Sequence, residues 1–269
     1  MNQYIQLTFR NIGLAEQEII IAQLSELNFE AFEEKDDALI ACVSFNLFDE
    51  DKIKDHIKFP YQKNIIEQKN WNEEWERSFE PVIVNDFCAI RASFHPAVHG
   101  VKHEIIITPK MSFGTGHHPT TFMMIQLMGN ININGKSVLD FGTGTSVLAI
   151  LAEKLGAATI VAIDNDEWSI RNAQENIEMN HCNCIMLKKA DSLNMDTRFD
   201  IIFANINKHI ILINLSDIKQ HLRKDGVLLL SGILSSDEDD IRNAAFMNNL
   251  GLVEKLQHEN WIALRLKHL

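Results

Sequence analysis

A glycine turn between a buried strand and a helix is the feature of this sequence that most limits how the chain can fold. The apolar run 137–141 is followed directly by Gly142-Thr143-Gly144, and a helical pattern begins after it. Beyond the turn, strand-like and helical segments alternate. Because a strand that returns to its sheet through a helix lies parallel to the strand before it, this alternation predicts an α/β fold with a doubly wound, Rossmann-like parallel sheet.

The predicted boundaries follow the spacing of hydrophobic residues and the positions of turn residues. Strands are expected at 81–84, 87–92, 104–108, 137–141, 159–164, 184–187, 199–204, 226–231, 252–257 and 261–267. Helices are expected at 119–128, 145–155, 167–179, 208–222 and 237–250.

The first 60 residues have a different order of elements. Strands are expected at 3–9, 29–34 and 38–45, with helices at 15–27 and from Asp49 onward. Strand, helix, strand, strand, helix is most of a split β-α-β unit. We therefore predict a small N-terminal α+β ferredoxin-like domain at 1–60, a linker at 61–80 and a second domain at 81–269. Trp71 and Trp75 are expected to pack the linker onto a domain.

The charge of the chain is acidic and unevenly distributed. The formal net charge is −12, and residues 1–60 contain five Lys and Arg against twelve Asp and Glu. Duplex nucleic acid is bound by neutralising its phosphates, so this balance disfavours it as a partner. A basic protein is a more natural partner, although acidity that serves only solubility remains an alternative.

The sequence also predicts the compartment. Its four cysteines are scattered, which is not the pattern of a disulfide scaffold. The first ten residues lack the basic and apolar regions of a secretory leader, and no apolar run reaches the roughly 18 residues that a membrane span requires. We therefore expect a cytoplasmic protein without membrane contact.

Two nucleoside cofactors compete for the glycine turn. Dinucleotide enzymes use Gly-x-Gly-x-x-Gly/Ala, whereas Val147 occupies the sixth position here and is bulky for close helix packing. A carboxylate at Asp140 is expected to repel a pyrophosphate and to attract the cationic amino-acid portion of S-adenosylmethionine. The turn therefore favours S-adenosylmethionine, and an NAD(P)-dependent oxidoreductase remains the alternative.

Two further carboxylates follow neighbouring strands. Asp164 lies 22 residues after Gly142 at the end of a predicted strand, where a carboxylate can accept both ribose hydroxyls of a nucleoside. Its alternative role is a favourable charge at a helix N-terminus. Asp191 follows the next strand and is expected near an adenine amino group.

Asn205 ends the strand 199–204 and is the predicted catalytic residue. Its amide oxygen can accept a hydrogen bond from a substrate amine while its NH₂ group donates elsewhere. Enzymes that methylate nucleobases or glutamine often have Asn-Pro-Pro-aromatic at this place, but this chain has Asn205-Ile206-Asn207-Lys208. A planar amide or base is therefore disfavoured as the substrate, and an aliphatic amine remains compatible with the motif.

The loop ahead of the sheet contains two glycines and two histidines. Phe113 and the loop 111–118 are expected to close over the substrate, and the threonines after Pro119 either cap a helix or contact the ligand. His117 and His118 have no nearby cluster of further ligands, and Cys182-x-Cys184 has no second pair, so no metal site is predicted.

Several of these motifs occur together in one known family. They lie at residues 113–121, 140–144, 162–164, 204–206 and 230–234, and the linker segment 71–75 fits the same pattern. Together they resemble the bacterial methyltransferase family that modifies large-subunit ribosomal protein eleven. The resemblance covers residues 60–234 by motif and the N-terminal domain by topology only.

The resemblance implies a class I S-adenosylmethionine-dependent protein N-methyltransferase, whose members trimethylate lysine side chains and the N-terminal α-amino group. The N-terminal domain is then implied to recognise the ribosomal protein, and we expect a monomer without direct nucleic-acid binding. Implied cofactor contacts are Thr121, Gly142, Asp164 and Asn205, and the turn adds Gly144. Ser146 stands where the family usually has glycine. A non-catalytic ribosome-assembly or interaction protein on the same fold remains an alternative.

Overall fold

The computed structural model describes residues 3–25, 27–29, 31–35, 37–67, 79–110 and 114–269. The chain divides into two compact units, Met1–Arg77 and Ser78–Leu269. Trp71 and Trp75, for which a packing role was predicted, lie outside the described residues. Within the described ranges, no helix has both the length and the apolar character that a membrane crossing requires.

The N-terminal unit is built on an antiparallel sheet. Its elements are β1 (Gln3–Arg10), α1 (Leu14–Ser25), β2 (Ala31–Lys35), β3 (Ala38–Ser44), α2 (Glu50–His56) and β4 (Tyr61–Glu67), and the strands lie in the order β2-β3-β1-β4. In β3 the buried residues alternate, at Leu39, Ala41 and Val43, so one face of the sheet forms the core. Asp49 begins α2 as its N-cap, because its carboxylate accepts a hydrogen bond from the Lys52 N–H at 3.2 Å.

Strand β4 extends the sheet of the N-terminal unit beyond residue 60, into the segment 61–80 that was predicted to be a linker. It pairs antiparallel with β1 from Tyr61 to Glu67. Residues 62–65 are exposed, so this edge strand lacks the hydrophobic alternation that identifies a strand in sequence. The strand completes a β-α-β-β-α-β order, and the ferredoxin-like assignment of this unit remains a prediction.

The second unit begins with a small sheet, and a larger one follows. The small sheet contains β5 (Val82–Val84), β6 (Cys88–Ala92) and β7 (His103–Ile107). The large sheet contains β8 (Ser137–Phe141), β9 (Thr159–Asp164), β10 (Ile185–Lys189), β11 (Phe199–Asn205), β12 (Leu222–Leu234), β13 (Leu250–His258) and β14 (Trp261–His268). The helices are α3 (Pro119–Gly129), α4 (Val147–Lys154), α5 (Glu167–Met179), α6 (Lys208–His221) and α7 (Glu238–Met247).

The large sheet confirms the predicted doubly wound α/β fold. Its strand order is β10-β9-β8-β11-β12-β14-β13, with β8 to β12 parallel and β14 antiparallel to its two neighbours. Residues of α3, α4 and α5 form one hydrophobic core against the sheet, and residues of α6 and α7 form another. The chain reverses its winding between β8 and β11, which is where such sheets form a ligand crevice.

Among the element boundaries that differ from prediction, two have a local reason. Helix α4 begins at Val147 rather than at residue 145, because its N-cap Ser146 has a left-handed φ of 61°. Strand β12 continues beyond the predicted residue 231 to Leu234, and its pairing with β14 is irregular between Leu230 and Ile233. Gly232, at φ 83°, lies in this irregular stretch.

Candidate functional site

A cleft of about 750 Å³ opens at the carboxyl ends of β8, β9, β11 and β12. Its lining includes His118, Phe141, Gly142, Gly144, Asp164, Asp191, Asn205, Ile206, Ile210, Gly232 and Trp261. Four predicted site residues, Gly142, Gly144, Asp164 and Asn205, therefore lie around one cavity, at the position where a doubly wound sheet binds ligands.

The glycine turn presents bare backbone to this cleft. Gly142 has a left-handed φ of 77°, and both its N–H and that of Thr143 donate to the carbonyl of Ile163 at 2.9 Å. A Cβ on Gly142 would lie 2.3 Å from Cγ2 of Ile206, which is too close for any side chain. The position therefore requires glycine, and a ligand can approach the main chain there.

Buried polar side chains support the turn from below. The Thr143 hydroxyl donates to Oδ2 of Asp140 at 2.6 Å and lies 3.0 Å from the Ser146 hydroxyl. Ser146 is fully buried and is not among the cleft-lining residues. Its φ of 61° is in the left-handed region that glycine adopts most easily, which accounts for the glycine usual at this position in the resembled family. Asp140 is 1% exposed and does not line the cleft either. The expected attraction between its carboxylate and a cationic cofactor would therefore act without direct contact at the cleft surface, and it stays a prediction.

Burial raises the pKa of Asp140 to about 7. Hydrogen bonds from Thr143 and from the Ala149 backbone oppose this increase, and the charge of Asp164 adds to it. The folded chain consequently retains a proton on Asp140 that the unfolded chain releases near its ordinary pKa of 3.8.

This proton gives the first prediction. Because the folded state binds the proton of Asp140 more tightly, the contribution of this group to the unfolding free energy decreases as the pH rises from the pKa of Asp140 in the unfolded chain to its pKa in the folded chain. Above the folded-state pKa this contribution is constant. Relative to Asp140→Asn, which has no such proton, the unfolding free energy of the wild type should fall by about 2 kcal/mol between about pH 5.5 and pH 7. Chemical denaturation at several pH values measures this, and parallel curves for the two proteins would contradict it.

Asp164 lies at the end of β9 with both carboxylate oxygens engaged by backbone. Oδ2 accepts from the Gly144 N–H at 2.9 Å, and Oδ1 accepts from the Asp166 N–H at 3.0 Å. Each oxygen has a second lone pair, so the carboxylate can still accept two ligand hydroxyls. Asp191 is exposed and lies at the same cleft, next to Ala190, whose N–H donates to the carbonyl of Asp164.

Asn205 lines the cleft, and its side chain contains a buried acceptor without a partner among the described residues. It is 7% exposed, and its Nδ2 donates to Oγ1 of Thr121 at 3.3 Å. Its buried Oδ1 has no hydrogen-bond partner among the described residues. A buried carbonyl oxygen without a partner is costly, so this atom is suited to accept a ligand N–H. Thr121 is fully buried behind Asn205 and is not a lining residue, so its predicted cofactor contact remains a prediction.

His118 begins the helix that leads away from the cleft. Its Nδ1 lies 3.3 Å from the Thr120 N–H and 2.7 Å from the Thr120 hydroxyl. The N-cap of α3 is therefore His118 rather than a threonine. Burial lowers the pKa of His118, with Glu259 acting in the opposite direction. Phe113 and residues 111–112, which were expected to close over the substrate, lie outside the described residues.

The histidines do not form part of a metal cluster in the described part of the chain, where no group of three His, Cys, Asp or Glu side chains could hold an ion. His117 is exposed and contacts Phe79 edge to face, at 4.6 Å between ring centroids.

Comparison with known proteins decides the family. The family model for ribosomal protein L11 methyltransferase (PrmA) matches residues 8–268. The chain belongs to the ribosomal protein L11 methyltransferase family. This confirms the resemblance drawn from the motifs.

Relatives of the family match over nearly the whole chain. The ribosomal protein L11 methyltransferase of Bacteroides thetaiotaomicron is 38% identical, covering 99% of this chain and 100% of its own. That of Porphyromonas gingivalis is 39% identical over 92% of this chain and 89% of its own. The crystal structure of a ribosomal protein L11 methylase from Lactobacillus delbrueckii matches with a TM-score of 0.66 and 30% identity, covering 71% of this chain and 99% of that one.

Membership of the L11 methyltransferase family makes S-adenosylmethionine the methyl donor, as the glycine turn predicted, and sets aside the oxidoreductase alternative. The cleft fits this cofactor. Gly142 leaves room for a ligand against the main chain, and Asp164 retains acceptor capacity for ribose hydroxyls. Asn205 lines the same cavity, and its buried Oδ1 lacks a hydrogen-bond partner among the described residues.

Some lining residues were missed by sequence reasoning. Trp261 comes from the first position of β14, far from the glycine turn in sequence, and Ile206 and Ile210 follow Asn205 into α6. One signal was present: Gly232 directly follows the predicted strand 226–231, and a glycine within a strand, as Gly232 is in β12, often marks an irregularity or a close approach. A Cβ added at Gly232 would lie 2.3 Å from the carbonyl oxygen of Ile206, so β12 passes directly beside Ile206.

Proposed function

We propose that this chain transfers methyl groups from S-adenosylmethionine to lysine side-chain and N-terminal amino groups of ribosomal protein L11. The family gives the reaction class and the methyl donor. The observation that supports an amine as acceptor is the buried, unpartnered Oδ1 of Asn205 at the cleft.

The nucleophile in such a transfer must be a neutral amine, although free lysine has a pKa of about 10.4. The cleft has an apolar side at Phe141, Ile206 and Ile210, and apolar surroundings disfavour the charged form of an amine. S-adenosylmethionine, when bound, supplies an electrophilic methyl group on a cationic sulfur. The proton that the amine loses passes to water, so no dedicated base is required.

Asn205 orients the amine in this proposal. Because Thr121 accepts from its NH₂ group, the amide is held with Oδ1 free to accept one N–H of the substrate. Accepting that N–H fixes the direction of the nitrogen lone pair. Thr121 acts through Asn205 and is a positioning residue. Gly142, Gly144 and Asp164 are proposed to hold the donor.

The N-terminal unit is proposed to recognise the ribosomal protein. Residues 1–60 have more than half of the net negative charge of the chain, and ribosomal proteins that bind RNA are commonly basic. We propose that the chain acts as a cytoplasmic monomer and does not itself bind nucleic acid.

The test is incubation of the protein with radiolabelled S-adenosylmethionine and purified ribosomal proteins. We expect label in L11 and in no other large-subunit protein, on lysine and N-terminal residues after digestion. Label in another protein instead of L11 would identify that protein as the substrate. S-adenosylmethionine binding without any methyl transfer would favour the alternative that the chain is a non-catalytic assembly or interaction protein.

A further inference from the structure

Two aromatic rings form a corner of the cleft that the proposed mechanism has not used. His118 and Trp261 both line the cavity that contains Asn205. Their ring centroids are 4.7 Å apart, and their planes meet at 71°. The two rings therefore contact each other edge to face in the wall of the cleft, and we call this pair the aromatic corner.

The aromatic corner is held in place by backbone and side-chain bonds. Trp261 pairs with Leu234 of β12 on one side and with His258 of β13 on the other. Asn260, which precedes Trp261, is fixed as well, since its carbonyl accepts a hydrogen bond from the Ser235 N–H at 2.8 Å. His118 is held by its cap interaction with Thr120. A corner that is rigid before ligand binding loses little entropy when a ligand enters.

The sheet places this corner beside the predicted catalytic residue. Asn205 of β11 pairs with Ser231 of β12, and the Ser231 hydroxyl donates to the carbonyl of Ile262 at 2.9 Å. Trp261 directly precedes Ile262. The amide and the indole thus come from strands separated by one intervening strand, so their backbones lie about 10 Å apart and their side chains border one cavity.

The corner suits a cation that lacks hydrogen-bond donors. Burial favours the neutral form of the His118 ring, so that this wall does not repel a positive charge. The face of a tryptophan attracts an ammonium group within about 6 Å of the ring centre, and no N–H is needed. Asn205 supplies the complementary contact, because its Oδ1 is an acceptor that requires an N–H.

Successive transfers change which contact the substrate can use. In each transfer an N–CH₃ bond would form as the S–CH₃ bond of the donor breaks, so that the nitrogen becomes a cation, and a proton must then pass to water before the next transfer. A neutral primary amine has two N–H groups and can satisfy Oδ1 of Asn205, whereas the neutral dimethylamine that enters the last transfer has no N–H to offer. We propose that Trp261, with His118, is the specificity-determining surface that binds the substrate nitrogen once it carries methyl groups. This inference rests on the proposed function.

The test is the methylation state of L11 over time, measured by intact-mass and peptide mass spectrometry. Trp261→Leu should leave the first transfer to an amine within about threefold of the wild type and slow the last transfer about tenfold, so that partly methylated L11 accumulates. Trp261→Phe keeps an aromatic face and should give an intermediate result. Trp168→Leu, which removes an exposed tryptophan that does not line the cleft, is the matched control.

The outcomes separate this inference from the proposed function. If the wild type transfers no methyl group to L11, the proposed function fails. If the wild type methylates L11 and Trp261→Leu gives the same rates and products, the aromatic corner has no such role. A uniform slowing of all transfers, together with weaker S-adenosylmethionine binding by calorimetry, would assign Trp261 to the cofactor and also overturn the inference. Should Trp261→Leu not fold, as judged by circular dichroism, the same comparison is made with Trp261→Phe.

Discussion

Replacing Gly142 with alanine is expected to weaken S-adenosylmethionine binding about 100-fold and to lower the unfolding free energy by about 2–4 kcal/mol. The left-handed φ of 77° strains any residue with a Cβ, and that Cβ would lie 2.3 Å from Cγ2 of Ile206. Either the turn or Ile206 must move, and both line the cleft. Calorimetric titration and chemical denaturation measure the two effects.

Two variants separate the clash from the backbone strain. Gly135→Ala introduces a similar strain at φ 72° with nothing within 4 Å of the new Cβ, so we expect a stability loss of about 1 kcal/mol and unchanged cofactor affinity. Adding Ile206→Ala to Gly142→Ala removes the clashing methyl group, because the remaining Ile206 Cβ lies at an ordinary 3.7 Å. Affinity should partly recover. If Gly142→Ala and Gly135→Ala bind the donor equally well, the turn is not part of the cofactor site.

Replacing Asn205 with alanine is expected to reduce kcat about 100-fold while the Kd for S-adenosylmethionine changes less than about threefold. The variant removes the Oδ1 acceptor proposed to orient the amine, and it leaves the glycine turn and Asp164 intact. Steady-state kinetics with L11 and calorimetry with the cofactor give the two values.

The control for this variant is Asn243→Ala, which removes an exposed asparagine of α7 that does not line the cleft. It should match the wild type in both measurements. Asn205 was also predicted to contact the cofactor, so the split between kcat and Kd decides between its two roles. A loss confined to cofactor Kd would refute orientation of the amine.

The fold could be predicted from the sequence where buried apolar segments end at polar residues. Strand β9 and helix α5 have the bounds expected from sequence, because buried apolar runs end at polar residues such as Asp164 and Asp166. Strand β4 was not predicted, since its consecutive exposed residues 62–65 show no alternation of buried and exposed positions. Pairing with β1, a long-range contact, defines it.

The site could be predicted only where it is local in sequence. Asp164 and Asn205 end their strands, and Gly142 and Gly144 lie in the turn after β8. The carboxyl ends of the strands of one parallel sheet meet at one edge. The burial of Asp140 was not predicted, because its spacing from the turn does not reveal that its carboxylate accepts a hydrogen bond from Thr143 under the turn. Trp261 was missed because the pairing of β14 with β12, rather than any motif, brings it to the cleft.

The most direct test of the account is a crystal structure of the protein grown with S-adenosylmethionine. We expect the donor in the cleft, with its ribose hydroxyls bonded to Asp164, its amino-acid portion against the Gly142–Gly144 turn and its methyl group facing Asn205. Full occupancy of the donor at a different surface, or a nicotinamide dinucleotide that binds this cleft while S-adenosylmethionine does not, would contradict the account.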